Sequence, residues 1–342
     1  MAGRSSEPPY PGRHRQQLVA RFLALRLIHA IAIVFLVATL TFFLIRMAPG
    51  DPIITRSEAL SVPPEVRAQL LENFGLDRPL VEQYLRYLGN LATGDLGYSF
   101  SENRPVTTAI MERIPNTLIL AGLGMLLAFG IGVPVGAIQG WRSGSKTDNA
   151  LTVTSLVLYS LPVFWLGIML QLAFGLGLGL FPVSGAIDPV IHDGLSTFGR
   201  LWDRIRHLVL PAATLGAVGA GALARFQRSA TLETVVQDFI RTARGKGLTE
   251  QLILFRHALR AALLPSITLF GLTFPALLSG AVLVETVFSW PGIGRLIYDS
   301  IAARDYFVVT GTAIVSAIMV VLGNLVADVL YWVADPRTRP AS

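Results

Sequence analysis

The sequence contains no cysteine and little charge. Asp, Glu, Lys and Arg make up 15% of its 342 residues, against about 25% in an ordinary soluble domain, and apolar residues make up 52%. Without cysteine there can be no disulfide, thiolate metal site or cysteine nucleophile. The shortage of charge predicts long segments in hydrocarbon and argues against two soluble domains.

Six windows of about 20 mostly apolar residues are long enough to cross a bilayer as helices. The first has too long an apolar run, and no cleavage site after it, to be a signal peptide. The sequence therefore predicts an all-α membrane protein with six transmembrane helices. The six predicted spans are 25–45, 117–139, 150–174, 208–226, 263–288 and 307–333.

These spans divide the chain into five parts. We expect a disordered cytoplasmic tail (1–20), a first transmembrane helix (21–46) and an extracytoplasmic helical loop (47–116). A transmembrane core (117–337), which includes a cytoplasmic loop at 227–263, precedes a short cytoplasmic C-terminal tail (338–342).

The basic residues indicate the orientation. With the N-terminus inside, the inner segments carry 16 of the 28 Lys and Arg residues and the outer segments carry 12. Seven of those 12, counting Arg46 at its boundary, belong to the outer loop of about 70 residues, and long loops count little in the positive-inside rule. Both termini are therefore predicted to be cytoplasmic. The net charge of +6 is poor evidence for a nucleic-acid partner.

Glycine and proline are frequent within the spans. Gly132, Gly136 and Gly140 are spaced four apart, which lets two helices approach closely. We attribute this pattern to packing within the bundle in preference to a dedicated dimer seam. Pro162, inside the third predicted span, is an expected bend point.

Enzyme motifs are missing from the sequence. There is no His-Glu-x-x-His zinc motif and no Gly-x-Ser-x-Gly elbow. The segment 140–147 resembles a phosphate-binding loop, but Ser145 stands where its second glycine is required. The sequence therefore predicts neither a catalytic site nor a nucleotide site.

The cytoplasmic loop 227–263 is predicted to be ordered. We expect Thr231 to cap a helix whose apolar face is formed by Val235, Val236, Phe239, Ile240 and Ala243. Gly245 and Gly247 end that helix, and Leu248 opens a second amphipathic run before Pro265. Amphipathicity alone leaves two alternatives, a helix lying on anionic lipid and a knob that docks into a groove on a soluble partner.

The same loop resembles the EAA loop of ABC importer permeases, in particular the dipeptide/oligopeptide branch. The resemblance rests on Asp238-Phe-Ile-Arg-Thr-Ala-Arg-Gly-Lys-Gly247 and on Phe255-Arg-His-Ala-Leu-Arg-Ala-Ala-Leu-Leu-Pro265. Arg241, Thr242 and Ala243 occupy the positions of the family's Glu-Ala-Ala, as in the peptide branch. Gly245 and Ala261 depart from the branch, which usually has Ala and often has Asn there.

Other segments extend the resemblance over roughly 25–337. Gly94-Asp-Leu-Gly-Tyr-Ser99 and the long outer loop are similar to the first, B-type, permease of such transporters. The remaining matches are Arg46-Met-Ala-Pro-Gly-Asp-Pro52, Phe74-Gly-Leu-Asp-Arg-Pro79, Val284-Glu-Thr-Val-Phe-Ser-Trp-Pro-Gly-Ile-Gly294 and the stretch from Asn324 to Arg337.

The resemblance implies a type I permease subunit in the bacterial inner membrane, forming half of a peptide channel. It implies four kinds of partner: a homologous second permease, two ABC ATPase subunits that bind ATP and Mg, an extracytoplasmic substrate-binding protein, and the peptide substrate. The chain itself would bind no cofactor and no metal. The residues expected to couple to the ATPases are Arg241, Thr242, Ala243, Arg244, Lys246, Gly247 and Leu248.

Two alternatives remain open. Similar permeases carry glutathione or nickel chelates, and specificity lies largely in the binding protein. A stand-alone secondary transporter is disfavoured because we find neither an inverted repeat nor intramembrane charge pairs.

The outer loop is expected to contain three helices, at 61–75, from Asp77 to about Leu91, and at 104–114. They could seat the binding protein or simply cover the ends of the spans.

Polar residues within the spans are candidates for the translocation path, because polar groups in a bilayer usually face protein or water. Ties within the bundle are the alternative, which we favour for the two acids. The candidates are Gln171, Ser279, Glu285, Asn324 and Asp328.

Overall fold

The computed structural model describes residues 11–47, 78–99, 101–263, 265–267, 269–270, 273 and 281–334, with only the backbone for 11–25 and 328–334. Helices dominate these residues. In chain order the elements are α1 (Pro11–Met47), α2 (Leu80–Ala92), β1 (Tyr98–Ser99), β2 (Arg104–Pro105), α3 (Val106–Met111), α4 (Ile114–Trp141), α5 (Lys146–Ser160), α6 (Val163–Leu170, continued by a π-helical turn at Gln171–Gly177), a 3-10 turn (His192–Gly194), α7 (Thr197–Val235), α8 (Asp238–Gly245), α9 (Glu250–Leu252, continued by a π-helical segment at Ile253–Ala258), α10 (Leu259–Ala262), α11 (Val282–Val287), α12 (Ile293–Ala303) and α13 (Tyr306–Ala334).

Four helical stretches among the described residues are long and apolar enough to cross a membrane: Arg26–Met47, Val106–Trp141, Thr197–Val235 and Tyr306–Ala327. The pair α5 and α6 makes a fifth if it is counted as one span. Much of the predicted span 263–288 lies outside the described residues, as does the predicted helix 61–75. The chain is therefore a multi-pass membrane protein, and the predicted span 263–288, the fifth in chain order, stays a prediction.

The third predicted span is not straight. The chain bends by 103° between its two halves, Lys146–Ser160 and Val163–Gly177. Leu161 between them has an extended backbone, with φ −73° and ψ 134°, which is the conformation favoured before a proline. Pro162 therefore ends one helix and starts another, a sharper change than the bend that we predicted.

Helix α7 is longer than predicted, and Thr231 does not cap a new helix. Thr231 is buried inside α7, and its hydroxyl donates to the Gln227 carbonyl at 2.8 Å. The helix continues past Phe226 because Arg228 forms a two-pronged ion pair with the buried Asp148 of α5, both N···O distances being 2.9 Å. The loop predicted to start at 227 therefore begins near Val236.

Helix α1 also begins earlier than predicted. Residues 11–20, which we expected in a disordered tail, are part of this helix. Helix α2 packs against α1 through the Tyr84 hydroxyl, 2.7 Å from the Thr39 hydroxyl, and through the rings of Tyr84 and Tyr87 on Phe42. Helix α2 confirms the prediction made for 77–91.

The predicted third outer helix, 104–114, is shorter and follows a hairpin. Strands β1 and β2 pair antiparallel, with Ser99 opposite Arg104, and α3 covers only Val106–Met111. Glu102 in the hairpin turn is paired with Arg113 at 2.6 Å and with Arg104. The hairpin is thereby held to the start of α4.

The pairing of α4 with α7 is the centre of the bundle. Gly136 approaches α7 so closely that a Cβ there would overlap the Ala224 carbonyl oxygen. A Cβ on Gly132 would lie 2.8 Å from the Ala220 carbonyl oxygen, and one on Gly140 would lie 2.6 Å from the Thr231 Cβ. The glycine spacing thus serves packing within the bundle, as predicted.

Candidate coupling surface and path residues

Helix α8 has a fixed inner face and an exposed outer face. It begins after Gln237, whose backbone is extended. Asp238 lies in its first turn, where a negative charge interacts favourably with the positive end of the helix dipole. Ile240 and Ala243 are buried, and they pack with Ile253 and Ala258 of the following segment. The helix is therefore anchored to its own chain by one side only.

The anchored face also joins α8 to the C-terminal end of α4. Trp141, the last residue of α4, packs against this cluster together with Leu248. The Arg244 guanidinium lies over the Trp141 ring, 5.4 Å from its centroid, and pairs with Glu250 at 2.9 Å. Helices α8 and α4 are thus in direct contact.

Gly247 turns the chain after α8. Its φ of +72° is in the left-handed region, which glycine adopts without strain, and its N–H donates to the Arg244 carbonyl. The preceding Gly245 has no such requirement, and a Cβ on it would meet nothing within 4 Å. The two glycines therefore have different structural roles.

The structure separates the seven predicted coupling residues into two groups. Arg241, Thr242, Lys246 and Gly247 are exposed, and Arg244 is exposed but engaged by Trp141 and Glu250. Ala243 is buried and Leu248 half-buried, because both belong to the anchoring cluster. As placed here, these two face the chain's own core and are not available to a partner.

The apolar face predicted for this loop is divided in the structure. Val236 is 66% exposed and Phe239 42% exposed, whereas Ile240 and Ala243 are buried. The division arises because the helix breaks at 236–237, a break that the prediction of one helix starting at Thr231 did not include. We define the α8 surface as Val236, Phe239, Arg241, Thr242 and Lys246.

Two of the path candidates are engaged in hydrogen bonds to their own chain. The half-buried Gln171 amide donates to the Val183 carbonyl at 2.6 Å and to the Val287 carbonyl at 3.1 Å. Glu285 is fully buried, and its carboxyl accepts from the Thr117 hydroxyl at 2.9 Å and from the Arg295 N–H at 3.0 Å. Each of the two side chains therefore links separate segments of the chain through its hydrogen bonds.

The other path candidates are less constrained. Asn324 is half-buried on α13, four residues before Asp328 on the same helix. The Asp328 side chain and all of Ser279 lie outside the described residues. No group of three or more His, Asp or Glu residues in the described ranges could hold a metal ion.

Two family models match the chain over most of its length. Residues 132–340 match the binding-protein-dependent transport system inner membrane component, and residues 19–121 match the N-terminal part of such membrane components.

Named relatives span nearly the whole chain. The oligopeptide transport system permease protein AppB of Bacillus subtilis is 41% identical over 93% of this chain and 99% of its own length. The di/tripeptide transport system permease protein DppB of Pseudomonas aeruginosa is 43% identical over 93% of this chain and 98% of its own. The dipeptide transport system permease protein DppB of Escherichia coli K12 is 39% identical over 89% and 94%.

A solved structure shares the fold. A chain of the MetNI methionine ABC transporter, in an inward-facing conformation, aligns with a TM-score of 0.52 at 20% identity, covering 67% of this chain and 97% of that one. The fold is therefore that of an ABC transporter permease. On the family and the relatives together, the chain is a transport subunit and not an enzyme, and it belongs to the family of inner-membrane components of binding-protein-dependent transport systems.

Proposed function

We propose that this chain forms half of the translocation channel of an ATP-driven importer of dipeptides or oligopeptides. The proposal is supported by the three relatives described above, each of which is named as a permease of a peptide transport system. The other half would come from a homologous second permease, and an extracytoplasmic binding protein would deliver the peptide.

The observation that carries the proposal is the half-anchored helix α8. Its inner face is buried against Trp141 and the 253–258 segment, while Phe239, Arg241 and Lys246 on or beside its outer face are exposed. A short helix whose inner face is packed against the rest of the chain moves together with it when a force acts on its outer face. We infer that the α8 surface docks onto the ATPase subunits, which bind ATP and Mg, and that their closure moves the spans as rigid bodies.

This role requires α8 to lie on the cytoplasmic side. The distribution of Lys and Arg supports that orientation, with both termini in the cytoplasm of a bacterial inner membrane. The sequence predicts Arg244 as a docking residue, but its side chain already pairs with Glu250 and contributes less.

Within the membrane, Asn324 and Asp328 of α13 remain our candidates for lining the path, with Ser279. Gln171 and Glu285 fit better as ties that hold the outer ends of the spans, because both are hydrogen-bonded within the chain. We assign no peptide contact to either of them.

Reconstitution tests the proposal. Proteoliposomes containing this chain, the second permease, both ATPases and the binding protein should accumulate a labelled dipeptide only when ATP is supplied on the α8 side. Omitting the ATPases is the control, and uptake that persists without them would show a secondary transporter instead. Uptake of glutathione or a nickel chelate, and not of any peptide, would contradict the substrate assignment.

A further inference from the structure

A buried carboxyl group lies where four segments meet, at the end of α4 opposite to α8. Glu285 of α11 accepts from the Thr117 hydroxyl of α4 and from the Arg295 N–H of α12. Thr117 in turn accepts from the Ile293 N–H at 2.8 Å. All three of Glu285, Thr117 and Ile293 are almost completely buried. We call these residues, with Asn116 and the turn 290–294, the outer clasp.

The turn 290–294 is shaped around this carboxyl group. A Cβ on Gly292 would overlap the Glu285 carboxyl, and one on Gly294 would lie 2.9 Å from its Oε2. The Trp290 indole N–H donates to the Asn116 carbonyl, and the Asn116 amide donates to the Pro291 carbonyl, both at 3.0 Å. Only glycine at positions 292 and 294 lets the turn pack this closely around the Glu285 carboxyl group.

The outer clasp fixes the start of α12. The first N–H groups of a helix have no hydrogen-bond partner within the helix. A carboxyl group placed there accepts their hydrogen bonds and interacts favourably with the positive end of the helix dipole. Gly292, which precedes α12, has no side chain that could do so. Glu285 fills this role from another helix, and it joins α12 to α4 and α11 at the same time.

Helix α4 connects this clasp with the coupling surface. It runs for 28 residues, about 42 Å, from the clasp to Trp141 under α8. Over its inner half it packs against α7 through Gly132, Gly136 and Gly140. A displacement of α8 therefore has a continuous, closely packed connection to α12.

We propose that Glu285 is a positioning residue that fixes α12 to α4, so that movement of α8 against the ATPases is passed through α4 to α12 during transport. The proposal rests on the function proposed above. It goes further in assigning α12 a movement and Glu285 the contact that imposes it.

A matched pair of substitutions at Thr117 tests this role in the reconstituted transporter. Thr117→Val keeps the side-chain shape but removes the hydroxyl that joins Glu285 to Ile293, whereas Thr117→Ser keeps it. The natural chain has no cysteine, so Tyr298→Cys, at a position 53% exposed on α12, is a single labelling site on this subunit. Peptide uptake, ATP hydrolysis and the maleimide labelling rate with and without nucleotide are measured on the same preparations.

We expect labelling at position 298 to depend on nucleotide when Thr117 is unchanged and in the Thr117→Ser variant, and to lose that dependence in Thr117→Val. Uptake by Thr117→Val should fall at least about fivefold while ATP hydrolysis stays within about twofold. If Thr117→Val does not accumulate in the membrane, Glu285→Gln, which keeps the side-chain size, is judged by the same readouts.

Three results would overturn the proposal. They are labelling at 298 that never depends on nucleotide, a Thr117→Val transporter with normal uptake, and a parallel loss of uptake and hydrolysis with nucleotide-dependent labelling retained. Failure of the unmutated transporter to import any peptide would instead count against the proposed function. The two failures are therefore distinguishable.

Discussion

Backbone conformation at single residues decides how the coupling corner is built. Gly245 and Gly247 are both exposed and have open space around them, but only Gly247 has a positive φ. A side chain at Gly247 would therefore cost stability because of the positive φ, and not because of contact with neighbouring atoms. The left-handed conformation costs a residue with a Cβ about 1–2 kcal/mol.

Alanine substitutions separate the two glycines. Gly247→Ala should lower the apparent Tm of the detergent-purified chain and reduce uptake, and Gly247→Trp should abolish uptake while the protein still reaches the membrane. Gly245→Ala should leave both unchanged, because Ala favours a helix and meets nothing there. Tm is read by a thermal-shift assay, and equal effects at the two positions would contradict this account of the corner.

Glu102 is the residue whose charge holds the outer hairpin. Burial raises the pKa of its carboxyl, but hydrogen bonds and charges from Arg113 and Arg104 outweigh that effect and leave the pKa below its usual value. A pKa lowered by folding means that stabilisation is present above the unfolded value, about 4.3, and is lost as pH falls through the folded value.

Glu102→Gln should therefore destabilise the chain at neutral pH, by about 1 kcal/mol given its partial exposure. The difference from wild type should shrink as pH falls below about 4. Glu112→Gln is the matched control, since this 59% exposed side chain pairs with Arg104 at the surface and should cost little. A pH-independent difference at position 102 would show that charge is not the cause.

At the scale of elements, the pairing of α4 and α7 is set by small residues. The spacing of Gly132, Gly136 and Gly140 predicted close packing with some helix of the bundle, and the structure identifies α7 as the partner. Gly136 is the tightest of the three, and Gly130, in the same helix, would meet nothing within 4 Å on gaining a Cβ.

This difference predicts the outcome of two alanine substitutions in α4. Gly136→Ala should separate the helices and destabilise the chain by about 1–3 kcal/mol, the usual cost of overpacking. Gly130→Ala should be neutral or slightly stabilising, as Ala is the better helix former. Monodispersity and thermal stability in detergent measure both, and a tolerated Gly136→Ala would contradict the close approach.

The length of α7 shows where sequence patterns reach their limit. Its hydropathy falls after Phe226, which predicted the end of a span, yet the helix runs to Val235. It is stabilised there by Asp148, 80 residues earlier, and by the contact between Gln227 and Ser266, 39 residues later, with an O···O distance of 2.6 Å. Partners so far apart in sequence leave no local pattern, so Thr231 was misread as a cap.

At the scale of the whole molecule, the family and most of the spans were predictable, but the contacts of the polar residues were not. Motifs from 25 to 337 indicated the permease family, which the relatives confirm. The sequence could not show that Arg244 is engaged by Trp141 and Glu250, or that Glu285 is enclosed by the 290–294 turn. Those facts depend on tertiary contacts between residues far apart in sequence, which leave no local pattern.

The central claim is that the α8 surface couples this chain to ATPase subunits, and a matched pair of phenylalanines tests it most directly. Phe239 lies on α8, whereas Phe198 lies at the far end of α7 and is 77% exposed. Co-purification of the ATPases, and ATP-driven peptide uptake, are measured for Phe239→Ser and Phe198→Ser at equal membrane levels.

The account predicts that Phe239→Ser loses at least about tenfold in retained ATPase, in line with the removal of a central apolar contact, while Phe198→Ser retains it fully. Uptake by Phe239→Ser should fall with the lost ATPase. Full retention of ATPase by Phe239→Ser, or its loss in Phe198→Ser alone, would contradict the assignment of α8 as the coupling surface.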